Sequence, residues 1–117
     1  RNVFMNIALP LQYSGEKKER IRKKVEEVAE CFDIKELLGK LPQILSRGEK
    51  QRVAICRSIV KMPEILFADE PTSSLDRKNA SEVIRILNKI NEEYNTSIVI
   101  ATHDECIKEI CTKIIDM

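Results

Sequence analysis

Apolar residues recur at helical spacing in the first part of the chain, and this pattern predicts three helical segments. Residues 3–11 form the first, which Pro10 is expected to break because a proline inside a helix removes a hydrogen bond. An amphipathic helix over 16–32 follows. A short third segment over 34–38 ends at Gly39, which suits the end of a helix.

The pattern changes after residue 45 to helices that alternate with apolar strands. A helical period over 47–61 ends just before Pro63, since the residue before a proline avoids the helical region. The continuous apolar run Ile65–Ala68 is typical of a strand buried on both faces. The elements predicted after it are a helix over 77–94, a buried strand over 97–101, a helix over about 104–111 and a short strand over 113–116.

This alternation places the chain in the α/β class. Strands separated by helices form parallel pairs with right-handed crossovers. The predicted organisation is a helical subdomain over 1–45 followed by an α/β segment over 46–117, with no internal repeat. At 117 residues, the chain is one domain or part of one.

Composition and charge exclude several kinds of partner. A net charge of +1 creates no field that would recruit nucleic acid, and an aromatic content of 4% is too low for a base-stacking surface. The basic residues within 17–24 alternate with apolar positions, so they are predicted to form the solvated face of the second helix. No apolar run approaches the roughly 20 residues that span a bilayer, and no signal peptide is visible.

The cysteines show no paired zinc-binding spacing. His103, Cys106 and Cys111 make three ligands without a fourth, which disfavours a metal site. Cys31 and Cys56 lie on apolar helical faces, so we expect small buried side chains in a reducing cytosol.

Two carboxylates directly follow the first predicted strand. Asp69 and Glu70 therefore emerge at its carboxyl end, where open parallel sheets bind ligands. An aspartate there can hold Mg²⁺, and a neighbouring glutamate can polarise the water that attacks a γ-phosphate. The alternative is structural: the pair ends the strand and Pro71 begins a turn.

A serine precedes the helix over 47–61. Ser46 and Glu49 have the spacing of a capping box, in which each side chain accepts a hydrogen bond from the other's backbone. A helix N-terminus with a serine hydroxyl is also an anion site, and Gly48 lets the backbone approach a phosphate closely. The two interpretations are compatible.

His103 and Asp76 complete the candidate residues. His103 follows the second strand, where it would reach a phosphate near Glu70 or act as a surface or capping group. Asp76 is either the N-cap of the helix over 77–94 or a loop residue that contacts a second subunit.

Together these motifs resemble the ATPase domains of the ATP-binding-cassette (ABC) family. Leu45–Glu49 resembles the signature loop, although Arg47 and Glu49 depart from its usual Leu-Ser-Gly-Gly-Gln form. Ile65–Pro71 resembles the Walker B strand, and the Ser-Ser-Leu-Asp and Thr-His-Asp segments follow in the family's order and spacing. The segment Asn2–Leu11 is similar to the lipoprotein-release and macrolide-export subfamily.

The resemblance implies a partial P-loop NTPase fold in an ATPase that works as a head-to-tail dimer. It implies ATP and Mg²⁺ as ligands, a second ATPase domain and a membrane permease as partners, and a cytoplasmic position on the inner face of the membrane. The implied roles are Asp69 for magnesium, Glu70 as general base, His103 as γ-phosphate sensor, Ser46, Gly48 and Glu49 for the partner's nucleotide, and Asp76 for the dimer contact.

The sequence contains no Gly-x-x-x-x-Gly-Lys-[Ser/Thr] phosphate loop, because its three glycines are far apart. We therefore expect a fragment of a longer ATPase that is inactive alone and leaves apolar strand faces uncovered. The leading function is to couple ATP hydrolysis to transport through a permease. The alternatives are a soluble ABC ATPase acting on DNA or the translation apparatus, and a non-catalytic interaction fragment.

Overall fold

The computed structural model describes residues 1–108 and has the predicted α/β architecture. The first part consists of α1 (Val3–Tyr13), α2 (Lys18–Cys31) and two single 3₁₀ turns at Lys35–Leu37 and Pro42–Ile44. The alternating part consists of α3 (Arg47–Ile59), β1 (Ile65–Asp69), α4 (Arg77–Tyr94), β2 (Ser97–Ala101) and α5 (Glu105–Lys108). The strand predicted over 113–116 and the end of the helix predicted over 104–111 lie outside the described residues.

Helix α1 continues through Pro10 to Tyr13, so the predicted break at Pro10 is wrong. Pro10 cannot donate the backbone hydrogen bond that a helix expects at this position. The burial of Ile7 and Leu11 in the core compensates for the missing hydrogen bond. Tertiary packing of this apolar face therefore keeps the last turn helical.

Strands β1 and β2 are parallel, and their register sets the geometry of the molecule's polar edge. Ile65 lies opposite Ser97, and the pairing continues to Asp69 opposite Ala101. Both strands therefore end at the same level. The turns that follow Asp69 and Ala101 are neighbours, as expected for parallel strands joined through a helix.

The sheet is buried on one face only, so the predictions that β1 is buried on both faces and that β2 is a buried strand are wrong. Leu66 belongs to the core, and Ile98 and Ile100 pack against it from β2. A continuous apolar run is typical of a strand covered on both faces, but residues 1–108 cover only one face of this sheet. The uncovered face agrees with the expectation of exposed apolar strand surface, and its large side chains are Ile65 (52% exposed), Phe67 (75%) and Val99 (52%).

One cluster of buried apolar side chains joins α1, α2, α3, α4 and β1. Cys56 is fully buried in it, as predicted, whereas Cys31 is only half-buried and packs at the edge of the cluster. Burial raises the pKa of the Cys56 thiol well above its usual range, so this side chain stays neutral. Between residues 1 and 108, no helix is both long enough and apolar enough to cross a bilayer.

Candidate functional site

The carboxyl ends of β1 and β2 bring together three of the predicted site residues, Asp69, Glu70 and His103, here called the strand-end group. Asp69 is the exposed last residue of β1, and the Glu70 side chain reaches towards the end of β2. Oε1 of Glu70 lies 3.8 Å from Nε2 of His103. This distance exceeds that of a hydrogen bond. The two side chains are therefore neighbours that attract each other only when the histidine is protonated.

The backbone of Glu70 is held in the left-handed region, with a φ of 46°. A non-glycine residue there costs about 1–2 kcal/mol, and strain of this kind concentrates at functional sites. Two backbone hydrogen bonds hold the conformation. The amide of Glu70 donates to the carbonyl oxygen of Ala101 at 2.7 Å, and the amide of Ser73 donates to the carbonyl oxygen of Glu70 at 3.1 Å.

Three polar residues that the sequence analysis did not single out connect the two strand ends. The Thr72 hydroxyl donates to Oδ2 of Asp104 at 2.7 Å, and the Asp104 amide donates to Oγ1 of Thr102 at 2.9 Å. The Thr102 hydroxyl in turn lies 3.4 Å from Oε2 of Glu70. These bonds join the turn after β1 to the turn after β2.

The contact between Thr72 and Asp104 follows from the register of the two strands, which the sequence alone does not give. Thr72 stands three residues after Asp69, and Asp104 stands three residues after Ala101. Asp69 and Ala101 are register partners in the sheet. Equal offsets from paired strand ends therefore indicate side chains that can meet.

The predicted capping box at the start of α3 is confirmed. The amide of Glu49 donates to Oγ of Ser46 at 3.1 Å, and the amide of Ser46 donates to Oε1 of Glu49 at 2.9 Å. Ser46, Gly48 and Glu49 are here called the helix-start group. Anion binding at this helix terminus is compatible with the box and stays a prediction.

Asp76 is the N-cap of α4, as one of its two interpretations predicted. Its Oδ1 accepts hydrogen bonds from the Asn79 amide at 2.8 Å and from the Asn79 side chain at 3.0 Å. Gly48 lies directly against this asparagine, and a Cβ on Gly48 would overlap with Oδ1 and Cγ of Asn79. The close approach of α4 therefore gives Gly48 a structural reason to be glycine.

Substituting Gly48 by alanine is expected to lower the free energy of unfolding by about 1–2 kcal/mol, because the new methyl group must displace Asn79. In an Asn79→Ala background the same change should be neutral or slightly stabilising, since alanine favours a helix over glycine. Gly39→Ala is the control, because no atom lies within 4 Å of a Cβ at that position. Urea unfolding of the chain measures all four variants. An equal loss in both Gly48 backgrounds would contradict the proposed clash.

The helix-start group and the strand-end group lie at separate places in the fold. Within residues 1–108, no hydrogen bond or ion pair joins a member of one group to a member of the other. Among the described residues, one side-chain hydrogen bond connects helix α3, which carries the helix-start group, to the turn after β1. In it, Nε2 of Gln51 donates to the carbonyl oxygen of Pro71 at 3.0 Å. The structure therefore brings Asp69, Glu70 and His103 together and keeps the helix-start group apart from them.

The donor set at the strand ends fits a magnesium–nucleotide complex better than a metal site made by protein alone. Asp69 offers hard oxygen ligands of the kind that Mg²⁺ prefers. Mg²⁺ in such sites takes one or two carboxylates and completes its shell with phosphate oxygens and water. Among the described residues, no group of three or more histidine, cysteine, aspartate or glutamate side chains could hold an ion.

The fold and this site define an α/β protein of the nucleotide-binding kind, with acidic residues at the carboxyl edge of a parallel sheet. A sequence model of the family described as "ABC transporter" matches residues 1–73. The chain belongs to the ABC transporter family, which implies nucleotide binding.

Individual relatives agree with this assignment. The chain is 43% identical to the methionine import ATP-binding protein MetN 1 of Enterococcus faecalis, and the match covers 97% of the chain and 32% of that relative. The structure of cbiO1 from Clostridium perfringens, part of the ABC transporter complex cbiONQ, superposes with a TM-score of 0.82 at 34% identity over 88% of the chain and 41% of cbiO1. A dimeric structure of MJ0796, a bacterial ABC transporter cassette, gives 0.79 at 32% identity over 93% of the chain and 49% of MJ0796.

These comparisons bear on three earlier predictions. The partial P-loop NTPase fold of the ABC type is confirmed. The chain spans about a third of the length of the curated relative. All three proteins are described as parts of transporters, which gives the DNA-repair and translation alternatives no support. None of the three names refers to lipoprotein release or macrolide export, so that subfamily assignment stays a prediction.

Proposed function

We propose that this chain is part of the ATP-binding subunit of an ABC transporter, and that the full-length protein couples ATP hydrolysis to transport through a membrane permease. The observation that carries this proposal is the strand-end group: Glu70 and His103 face each other beside Asp69, at the sheet edge where nucleotides bind. Within the chain, the proposed helical subdomain ends at residue 45 and the proposed α/β segment begins at residue 46.

The strand-end group supplies the residues for hydrolysis. Asp69 would hold Mg²⁺, which when bound neutralises charge on the transferred phosphoryl group. Glu70 would accept the proton of the attacking water, because its carboxylate stands at the sheet edge and is partly exposed to solvent. His103, with a fully exposed side chain 3.8 Å from Glu70, would contact the γ-phosphate.

The helix-start group would serve a different nucleotide, held by a second copy of the ATPase domain. Ser46 is the N-cap of α3 and Gly48 stands in its first turn, where backbone amides lack partners within the helix and favour an anion. Glu49 fixes this turn through the capping box. Asp76 accepts a hydrogen bond from the Asn79 side chain, and Asn79 lies against Gly48. Asp76 would form part of the contact between the two subunits. The related cassette MJ0796 is described as dimeric, which supports a second ATPase domain as the partner.

The partner in the membrane would be a permease, and the subunit would sit on its cytoplasmic side. The support comes from relatives, since MetN 1 is named as an import protein and cbiO1 as part of a transporter complex. The net charge of +1 gives no support for nucleic acid as a partner.

Titration calorimetry of the 117-residue chain and of the full-length protein that carries it tests the proposal. The full-length protein should bind Mg-ATP in the micromolar range, whereas the chain alone should bind at least about 100-fold more weakly. The physical reason is that the chain contains no glycine-rich phosphate loop with its lysine. Micromolar affinity of the isolated chain, or no nucleotide binding by the full-length protein, would contradict the proposal.

A further inference from the structure

We propose that Thr72 and Asp104 are positioning residues that hold Glu70 and His103 at their working distance. The hydrogen bond between the Thr72 and Asp104 side chains fastens the turn after β1 to the turn after β2. This inference rests on the proposed function, because it takes Glu70 and His103 to be the residues that act on the nucleotide.

The hydrogen bond between Thr72 and Asp104 is strong. At 2.7 Å, a hydroxyl that donates to a carboxylate makes a charge-assisted hydrogen bond, which is stronger than a neutral one. Thr72 is only 7% exposed, so water competes little for its hydroxyl. The two residues are 32 positions apart in the sequence. The bond is therefore a tertiary link between the two turns.

The turn that carries His103 is anchored on both sides of the histidine. Thr102 accepts the amide hydrogen of Asp104 through its hydroxyl oxygen, and Asp104 accepts the hydroxyl hydrogen of Thr72. The His103 side chain itself is fully exposed, so packing does not orient it. Its position must therefore follow from the backbone of the turn, which the two anchors hold.

The hydrogen bond between Thr72 and Asp104 also holds the turn that contains Glu70. Thr72 lies inside the turn that begins at Glu70 and is closed by the hydrogen bond from the Ser73 amide to the Glu70 carbonyl oxygen. Because Glu70 has a left-handed backbone, this turn needs tertiary contacts to stay in place. A link between Thr72 and Asp104 therefore fixes Glu70 and His103 relative to each other.

Substitutions at Thr72 in the full-length protein test this role. Thr72→Val keeps the shape of the side chain and removes the hydroxyl. We expect kcat for ATP to fall by about 10- to 100-fold, because a misplacement of about 1 Å is enough for such a loss. KM for Mg-ATP should stay within about twofold, since the substrate contacts are unchanged. Thr72→Ser keeps the hydroxyl and should retain kcat within about threefold.

A second pair of variants tests the other end of the bond. Asp104→Asn keeps an acceptor oxygen without the charge and should lose much less kcat than Asp104→Ala, which should lose at least as much as Thr72→Val. The Thr72→Val, Asp104→Ala double variant should be no worse than Asp104→Ala alone, because the change at Asp104 already removes the hydrogen bond that Thr72→Val removes. Should Thr72→Val fail to fold, the comparison between the asparagine and alanine variants carries the test.

Two results would overturn the positioning role: a wild-type kcat in Thr72→Val or in Asp104→Ala, or a Thr72→Ser variant as slow as Thr72→Val. The proposed function fails in a different way. If Glu70→Gln does not reduce turnover in the full-length protein, the assignment of the strand-end group is wrong. If Glu70→Gln is inactive while Thr72→Val has normal kcat, only the positioning role is lost.

Discussion

Glu70→Gln in the full-length protein is expected to reduce the turnover of Mg-ATP by at least about 100-fold, because a glutamine amide cannot accept a proton from the attacking water. Nucleotide binding should be nearly unchanged, with a Kd within about threefold of wild type. Glutamine has the size of glutamate, and its amide oxygen can still accept the hydrogen bond from the Thr102 hydroxyl. The measurement is a steady-state phosphate-release assay combined with nucleotide titration.

Glu64→Gln is the matched control for this experiment. Glu64 is an exposed carboxylate immediately before β1, at the opposite end of the strand from Glu70. Its substitution removes the same charge at the other end of β1 and should leave kcat unchanged. Turnover of Glu70→Gln at the wild-type rate, or an equal loss in Glu64→Gln, would contradict the assignment of Glu70 as general base.

The fold could be predicted from the sequence wherever local patterns decide it. Helix α4 was predicted over 77–94 and occupies Arg77–Tyr94, because a regular apolar stripe and the cap at Asp76 act within the same segment. Helix α1 shows the limit. Pro10 is a strong local signal against a helix, and the burial of Ile7 and Leu11 overrides it. Such packing depends on partners that are distant in the sequence.

The candidate site also has one part that the sequence predicts and one part that it does not. The neighbourhood of Asp69, Glu70 and His103 was predictable, because parallel strands in register end at one edge. The link between Thr72 and Asp104 was not predicted, since neither residue type is unusual at a strand end. Only the exact pairing of the strands places these two side chains opposite each other.

Gly48 illustrates a third case, in which two separate reasons favour a residue without a side chain at one position. The sequence indicated that its lack of a side chain would admit a phosphate. The structure adds that a Cβ at this position would overlap with Asn79 at the start of α4. A change at Gly48 therefore alters packing as well as any ligand contact. Ser46 is the better position at which to probe the helix-start group.

The second large effect is expected from Ser46→Asp in the full-length protein. Aspartate is as good an N-cap as serine, so α3 should keep its start. Its negative charge would repel the phosphate of the nucleotide held by the partner subunit. We expect kcat to fall by about 10- to 100-fold, comparable to the loss of an electrostatic contact to a transferring group. Ser46→Thr, which keeps the hydroxyl cap, should retain most of the activity, and thermal unfolding checks that both variants are folded.

Mixing the two inactive variants tests most directly whether the helix-start group and the strand-end group belong to different composite sites. When Glu70→Gln and Ser46→Asp subunits are combined in equal amounts, each mixed dimer should contain one site with both defects and one intact site. Phosphate release should then return to roughly a quarter of the wild-type rate, because half of the randomly formed dimers are mixed. A mixture that stays as inactive as its two components would contradict the head-to-tail arrangement and place both groups in a site formed within one chain.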